Sequence, residues 1–132
     1  MANGTIAFDT LQTSGQITGT AKSLDTDYVV NGSAKAWVHG NMTGTAAIDD
    51  SFNCGSLTDS GTGQMVVAYT NDMANANYIF TTCFNNNVSD QGANLKSRNG
   101  TLSAAQLDVI KYENASTVDC TFWGSAILGD LA

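Results

Sequence analysis

Short apolar runs separated by turn-forming residues fill the segment from residue 36 to residue 78. In the run at residues 64–70, Met65, Val67 and Tyr69 occupy alternate positions, and alternate side chains of a strand point to the same face. The segments on either side of this run are rich in Gly, Asn, Asp, Ser and Thr, which tolerate the dihedral angles of turns. The pattern predicts antiparallel strands joined by hairpins and polar loops.

The same pattern predicts further strands at residues 5–8, 27–31, 34–39, 45–52, 78–84 and 118–128. The Asn31-Gly32 dipeptide is a strong turn signal and predicts that strand 27–31 ends in a tight turn. In segment 78–84, Tyr78, Phe80 and Phe84 share one face, which we expect to face the core.

Two segments near the C-terminus each allow two structural interpretations. Residues 103–112 begin with a Ser-x-x-Gln pattern typical of a helix capping box, but the residues after it alternate as in a strand, and we favour a strand from about Gln106. The strand at 118–128 carries Phe122 and Trp123 on opposite faces, so we expect it at the centre of a sheet or at a subunit contact. Gly124 predicts a bulge or bend in it.

About eight to ten short strands with no convincing helix predict an all-β fold, an antiparallel β-sandwich or jelly-roll-like single domain. The chain has 132 residues, of which 42% are hydrophobic and 13% charged, as expected for one packed domain. Residues 1–20 are predicted to form an extended N-terminal arm and residues 21–132 the sandwich. The arm would contact a neighbouring subunit, or it is a frayed terminus.

Charge and composition exclude several classes of partner. The net charge is −7 and the five basic residues are scattered, so we expect no nucleic-acid partner. No run approaches the roughly 20 apolar residues of a membrane span, and the first residues lack the features of a signal peptide, so we expect no membrane insertion. Three widely spaced cysteines and one histidine predict reduced thiols, with one disulfide as the alternative, and no metal site or other cofactor.

The sequence also contains no group of residues at a spacing typical of a catalytic site. Asp49 and Asp50 are the only adjacent carboxylates, and neighbours in a strand face opposite sides, so they are not expected to act together on a glycosidic bond. His39 has no serine or cysteine at a spacing typical of a catalytic group. We therefore predict that the protein is not an enzyme.

The central segment resembles a module of tail-fibre and other virion proteins of tailed bacteriophages. In those proteins it reads W-V-x-F-x-G-T-G-T-x-x-I-x-x-S-F-N-V-S-S-x-T-D-x-G-T-G-x-Y-x-V-x-F-T-x-x-M-x-x-A-N-Y. The residues that agree with it are Trp37, Gly44, Ile48, Ser51, Phe52, Asn53, Leu57, Thr58, Asp59, Gly61, Thr62, Gly63, Thr70, Met73, Ala76, Asn77 and Tyr78. Cys54-Gly55 and Gln64-Met65 depart from it.

The resemblance implies a structural virion protein, assembled in the bacterial cytoplasm and acting as a homo-oligomer, most simply a homotrimer. One hypothesis is a tail-fibre module that contacts a host surface glycan or protein during adsorption. The alternative is a capsid decoration (cement) or head-fibre protein that stabilises the shell, with the N-terminal arm contacting other virion proteins. A third and weaker hypothesis is an enzyme that degrades surface polysaccharide.

The longest polar stretch, residues 85–100, is predicted to be an exposed contact loop, because long connections in compact domains are often functional. Its candidate binding residues are Asn85, Asn86, Asn87, Asn94, Lys96 and Arg98. An exposed aromatic ring could instead stack on a glycan, although aromatic residues at alternating strand positions are more often part of the core. The aromatic residues at such positions are Trp37, Tyr69, Tyr78, Phe80, Tyr112, Phe122 and Trp123.

Overall fold

The computed structural model describes residues 26–85, 94–97, 102–113 and 115–132. The chain divides into two compact units, Met1–Ser33 and Ala34–Ala132, and each is described by itself. The predicted arm at residues 1–20 and the predicted strand at 5–8 lie outside the described residues.

The described part of the first unit is a short helix, α1, at Thr26–Gly32. The predicted strand at residues 27–31 is therefore wrong. A short apolar run does not by itself distinguish helix from strand, and a strand also needs a partner to satisfy its backbone groups. Gly32 ends the helix instead of closing a hairpin, which agrees with the frequent use of glycine where helices stop.

The second unit is a β-sandwich. Its described residues form nine strands: β1 Ala36–Asn41, β2 Ala47–Phe52, β3 Cys54–Gly61, β4 Gln64–Tyr69, β5 Ile79–Phe84, β6 Asn94–Ser97, β7 Gln106–Glu113, β8 Ser116–Thr117 and β9 Trp123–Leu128. The front sheet has the order β2-β1-β9-β5, and the back sheet has the order β3-β4-β7-β6 with the two-residue β8 also paired to β7. All pairs are antiparallel, so the predicted all-β sandwich is confirmed.

Strands β4 and β7 pair with each other in the back sheet and supply much of the core. Met65 and Val67 of β4 and Leu107 and Val109 of β7 are fully buried at alternate positions. The choice of a strand from Gln106 is confirmed, because β7 begins there. The Ser hydroxyl of the apparent capping box accepts a hydrogen bond from the amide two residues later, which forms a local bend and no helix.

Asn53 carries the chain from the front sheet to the back sheet in one residue. Its φ of 55° lies in the left-handed region, which asparagine adopts more readily than most residues. Its Nδ2 donates to the carbonyl oxygens of Lys35 (3.1 Å) and Asn71 (3.0 Å), and its Oδ1 accepts from the Asn71 amide (2.7 Å). The side chain thus ties the ends of two other strands to this corner.

The front-sheet side of the core consists mainly of Ala36, Val38, Trp123 and Ile127, all buried. On the back sheet, the inward face of β7 continues past Val109 to Lys111 and Glu113, which are also buried. The Lys111 Nζ lies 3.0 Å from the Glu113 Oε2 and 6.0 Å from the centre of the Phe84 ring. The end of the core therefore contains an ion pair, in which each charge is compensated by the other.

The last strand is shorter than predicted, because residues 118–122 connect β8 to β9 without being part of a strand. Its expected central position is confirmed, since β9 pairs with both β1 and β5. Of the bulge or bend expected at Gly124, the bulge is wrong, because both pairings run through this residue without a shift of register, and the bend stays a prediction. A side chain would be crowded at this position, because a Cβ would lie 3.1 Å from the Cys83 Sγ and 3.2 Å from the Val38 carbonyl oxygen.

Candidate functional site

The outer face of the front sheet is defined by the register of its four strands. Residues directly opposite each other in antiparallel strands lie on the same face. Two cross-strand rows follow across this face: Phe52–Trp37–Ala126–Thr81 and Asp50–His39–Gly124–Cys83. Strand β9 thus contributes the two small residues Gly124 and Ala126 to this face, while β1 and β5 on either side of it contribute larger residues.

A groove of about 260 Å³ runs along β9 on this face. Gly124 and Ala126 form its floor because they have little or no side chain. The walls contain Trp37 and His39 of β1 on one side and Thr81 and Cys83 of β5 on the other. The Cys83 sulfur lies above Gly124, so a side chain at position 124 would displace it or narrow the groove.

Large apolar side chains are exposed around the groove. Trp37 is 36% exposed, Phe122 37%, Phe52 53% and Ile79 67%. The Phe122 ring packs against the His39 ring, with their centres 4.8 Å apart and their planes inclined at 50°. The outward face of a sandwich sheet is usually polar, and a contiguous apolar patch on a surface marks a site of interaction.

The charges on the front sheet have one sign. Its four strands contain Asp49, Asp50 and His39, and no lysine or arginine. The Asp49 Oδ2 lies 3.7 Å from the His39 Nδ1, and both side chains are partly exposed. This end of the groove is therefore suited to uncharged or cationic groups and unfavourable for anions.

The two adjacent carboxylates differ from the sequence-based expectation. β1 and β2 shift register between His39 and Gly40, so His39 is opposite Asp50, Gly40 is opposite Ile48, and Asp49 is an extra residue in a bulge. The simple alternation of faces is interrupted there, and both aspartates are exposed. The Asp50 Oδ1 accepts a hydrogen bond from the next amide, that of Ser51, at 2.8 Å.

All three cysteines are free thiols. Burial raises the pKa of the Cys54 thiol to about 11 and that of the Cys120 thiol to about 11. Cys83, in the wall of the groove, is exposed. The reduced thiols expected from the sequence thus differ strongly in accessibility.

Among the predicted binding residues, Asn85 has a structural role in the fold. Its Nδ2 donates to the Thr121 Oγ1 at 2.6 Å, and its Oδ1 accepts from the Phe122 amide at 3.1 Å. The backbone of Asn85 also donates to the Phe122 carbonyl oxygen, at 3.0 Å. These bonds fix the start of β9 beside the end of β5, so the amide group is already engaged.

The remaining predicted binding residues do not form one described site. Asn94 and Lys96 lie in β6, opposite Tyr112 and Ile110 of β7, so part of the predicted loop 85–100 is a strand of the back sheet. The prediction of one continuous loop over this stretch is therefore wrong. Asn86, Asn87 and Arg98 lie outside the described residues, and their predicted role is untested.

The groove itself was not predicted. Tyr69, Tyr78 and Trp123 are buried, as expected for aromatic residues at alternating positions, but Trp37 and Phe122 are exposed. The small residues of β9 were visible in the sequence. Their position between Trp37 and β5 depends on which strands pair, and the sequence alone did not indicate that pairing.

Among the described residues, no three or more His, Cys, Asp or Glu side chains are grouped so that they could hold a metal ion. No helix within the described ranges is both long and apolar enough to cross a membrane.

Comparison of the chain with protein-family models, with curated proteins and with solved structures gives no significant match.

Proposed function

We propose that this chain is a non-enzymatic surface protein of a tailed-phage virion that acts as a tail-fibre or receptor-contact module in host adsorption. Two observations support the proposal. The segment 36–78 resembles a module of such proteins, and the outer face of the front sheet exposes a groove with large apolar side chains. The second observation carries the proposal, because it concerns a surface that is available for contact.

The free energy available from this surface is substantial. With roughly 200 Å² for each large side chain, Trp37, Phe52, Ile79 and Phe122 together expose about 400 Å². At about 25 cal/mol per Å², full burial would contribute about 10 kcal/mol before the entropic costs of association. This amount is sufficient for a specific contact when many copies act together on one virion.

A second candidate function is that of a capsid decoration or head-fibre protein that stabilises the shell. The observation that favours it is the width of the apolar face. Phe52 and Ile79 lie on β2 and β5, the two edge strands of the front sheet, so the exposed apolar surface extends beyond the groove. In either function, the homotrimer and the contact of an N-terminal arm with other virion proteins remain part of the proposal.

The test uses the purified full chain as a competitor of phage adsorption. We expect it to reduce adsorption of the phage to its host, and we expect Trp37→Ala to lose this effect. Leu131→Ala is the matched control, since Leu131 is an exposed apolar residue outside the groove. Failure of the wild-type chain to compete, or equal competition by all three proteins, would contradict the adsorption role.

The number of copies per virion separates the two candidates. Quantitative mass spectrometry of purified virions should give a small number, set by the symmetry of the tail, if the chain belongs to a fibre. A number that matches the many equivalent positions of the shell would support decoration. Absence of the chain from purified virions would refute both.

A further inference from the structure

The groove has the dimensions of a site for one small ring-shaped ligand. Its volume of about 260 Å³ equals that of about nine water molecules at roughly 30 Å³ each, which is enough for one sugar ring with its hydroxyl groups. Pockets for larger ligands have roughly 300–1,000 Å³. We propose that the groove binds one uncharged pyranose unit of a host surface glycan, stacked on Trp37; the host origin of the glycan rests on the proposed function.

Trp37 lines the groove and is 36% exposed. Its neighbour across the sheet on β2 is Phe52, a large residue, and its neighbour on β9 is Ala126, which has only a methyl group. Ala126 and Trp37 both line the groove, so the small side chain of Ala126 leaves space beside the indole. The C–H groups on one face of a pyranose are apolar and pack well against such a ring.

Two polar side chains of the walls can bind the hydroxyl groups of the sugar. Thr81 is exposed on β5, and its hydroxyl can both donate and accept. On the opposite wall, His39 lines the groove with a partly exposed side chain, and the ring nitrogens of an imidazole can form hydrogen bonds with sugar hydroxyl groups. The Phe122 ring packs against the imidazole and covers part of it.

The charge of the front sheet selects the class of sugar. Its strands provide two carboxylates and no lysine or arginine, so an acidic or phosphorylated sugar would be repelled and would find no cation on these four strands to bind. A neutral hexose or an N-acetylhexosamine is not repelled by these carboxylates. The expected ligand is therefore an uncharged sugar.

A second copy of the chain is a weaker occupant for this surface. At the centre of this face β9 presents only Gly124 and Ala126, so the flat face of a second sheet would leave the groove of about 260 Å³ unfilled, whereas stable interfaces are closely packed. The concave centre of the face also suits a small convex ligand better than another sheet.

The test is a titration of the ¹⁵N-labelled full chain with methyl glycosides of glucose, galactose, mannose and N-acetylglucosamine, followed by NMR. Methyl glucuronide and sialic acid serve as the acidic comparison. We expect at least one neutral glycoside to shift the Trp37 indole N–H and the Ala126 amide, and we expect the acidic sugars to shift neither. Light scattering on the same samples should give an oligomeric state that Trp37→Ala does not change.

Two pairs of variants separate a binding role from a structural one. Trp37→Ala should weaken binding by about tenfold, and Leu131→Ala should leave it unchanged. Thr81→Val should weaken binding several-fold, whereas Thr58→Val, at an exposed threonine of β3 in the back sheet, should not. Thermal melts show which variants are folded, and the conclusion uses those alone.

The inference is overturned if no neutral glycoside shifts these signals, if acidic sugars bind as well, or if Trp37→Ala dissociates an oligomer that covers the face. Its failure is distinguishable from failure of the proposed function. If the chain competes for adsorption through Trp37 but binds no sugar, the host-contact role is supported and the glycan site is refuted. If the chain binds sugar but is absent from virions, the sugar site is supported and the virion role is refuted.

Discussion

Disruption of the buried ion pair should reveal how much the core depends on charge compensation. Lys111 is 0% exposed and Glu113 3%, and their charged atoms lie 3.0 Å apart. At an effective dielectric constant of about 20, two unit charges at this distance attract by roughly 5.5 kcal/mol. Lys111→Met or Glu113→Met alone removes this attraction and leaves the other charge buried, so each should cost about 3–5 kcal/mol of unfolding free energy.

The double variant Lys111→Met/Glu113→Met should behave differently. It removes both charges and replaces them by apolar groups of similar size, a change that is often neutral or stabilising for buried pairs. We expect it to be at least about 2 kcal/mol more stable than either single variant.

Urea unfolding followed by tryptophan fluorescence measures these differences, because Trp123 is fully buried in the same core. With a slope of about 1–3 kcal/mol per molar urea, a loss of about 3 kcal/mol lowers the midpoint by roughly 1–3 M. The reasoning is refuted if the single variants cost less than about 1 kcal/mol, or if the cost of the double variant equals their sum.

Two further predictions concern the thiols and a turn. N-Ethylmaleimide at pH 8 should modify Cys83 well before Cys54 and Cys120, as measured by peptide mapping, because burial raises the pKa of the latter two thiols to about 11 and keeps them protonated. Their modification should increase only as the pH approaches that value, and equal rates at pH 8 would contradict the burial. Gly63→Ala should cost about 2–4 kcal/mol in urea unfolding, since its φ is +67° and a Cβ would lie 2.8 Å from backbone atoms. Gly44→Ala, with the same φ but open space around it, should cost about 1–2 kcal/mol, and an equal cost at both sites would show that the close approach is unimportant.

The alternation of apolar residues was sufficient to predict the sandwich. It predicted that Met65 and Val67 share one face, which is the buried one, and it located the start of β7 at Gln106. The same alternation placed Lys111 on the same face as Val109. A charged residue in such a pattern is assigned to the surface, however, unless a partner of opposite charge is known. Its partner is two positions away, where the inward face continues.

The features that the sequence did not predict depend on contacts between distant segments. The groove exists because β9 lies between β1 and β5, which brings residues 37 and 81 to either side of Ala126. The corner at Asn53 likewise depends on carbonyl groups of Lys35 and Asn71, each 18 positions away. The helix at Thr26–Gly32 was missed because two adjacent valines favour a strand only where a neighbouring strand is available.

The absence of lysine and arginine from the strands of the front sheet has a consequence for attachment in different media. Contacts between opposite charges are screened by salt and become weaker as its concentration rises. Stacking on an aromatic ring and burial of apolar surface displace water, with no condensed counterions to release, and excluded salts such as sulfate strengthen them. A contact made through this sheet should therefore be as firm in brine as in dilute buffer.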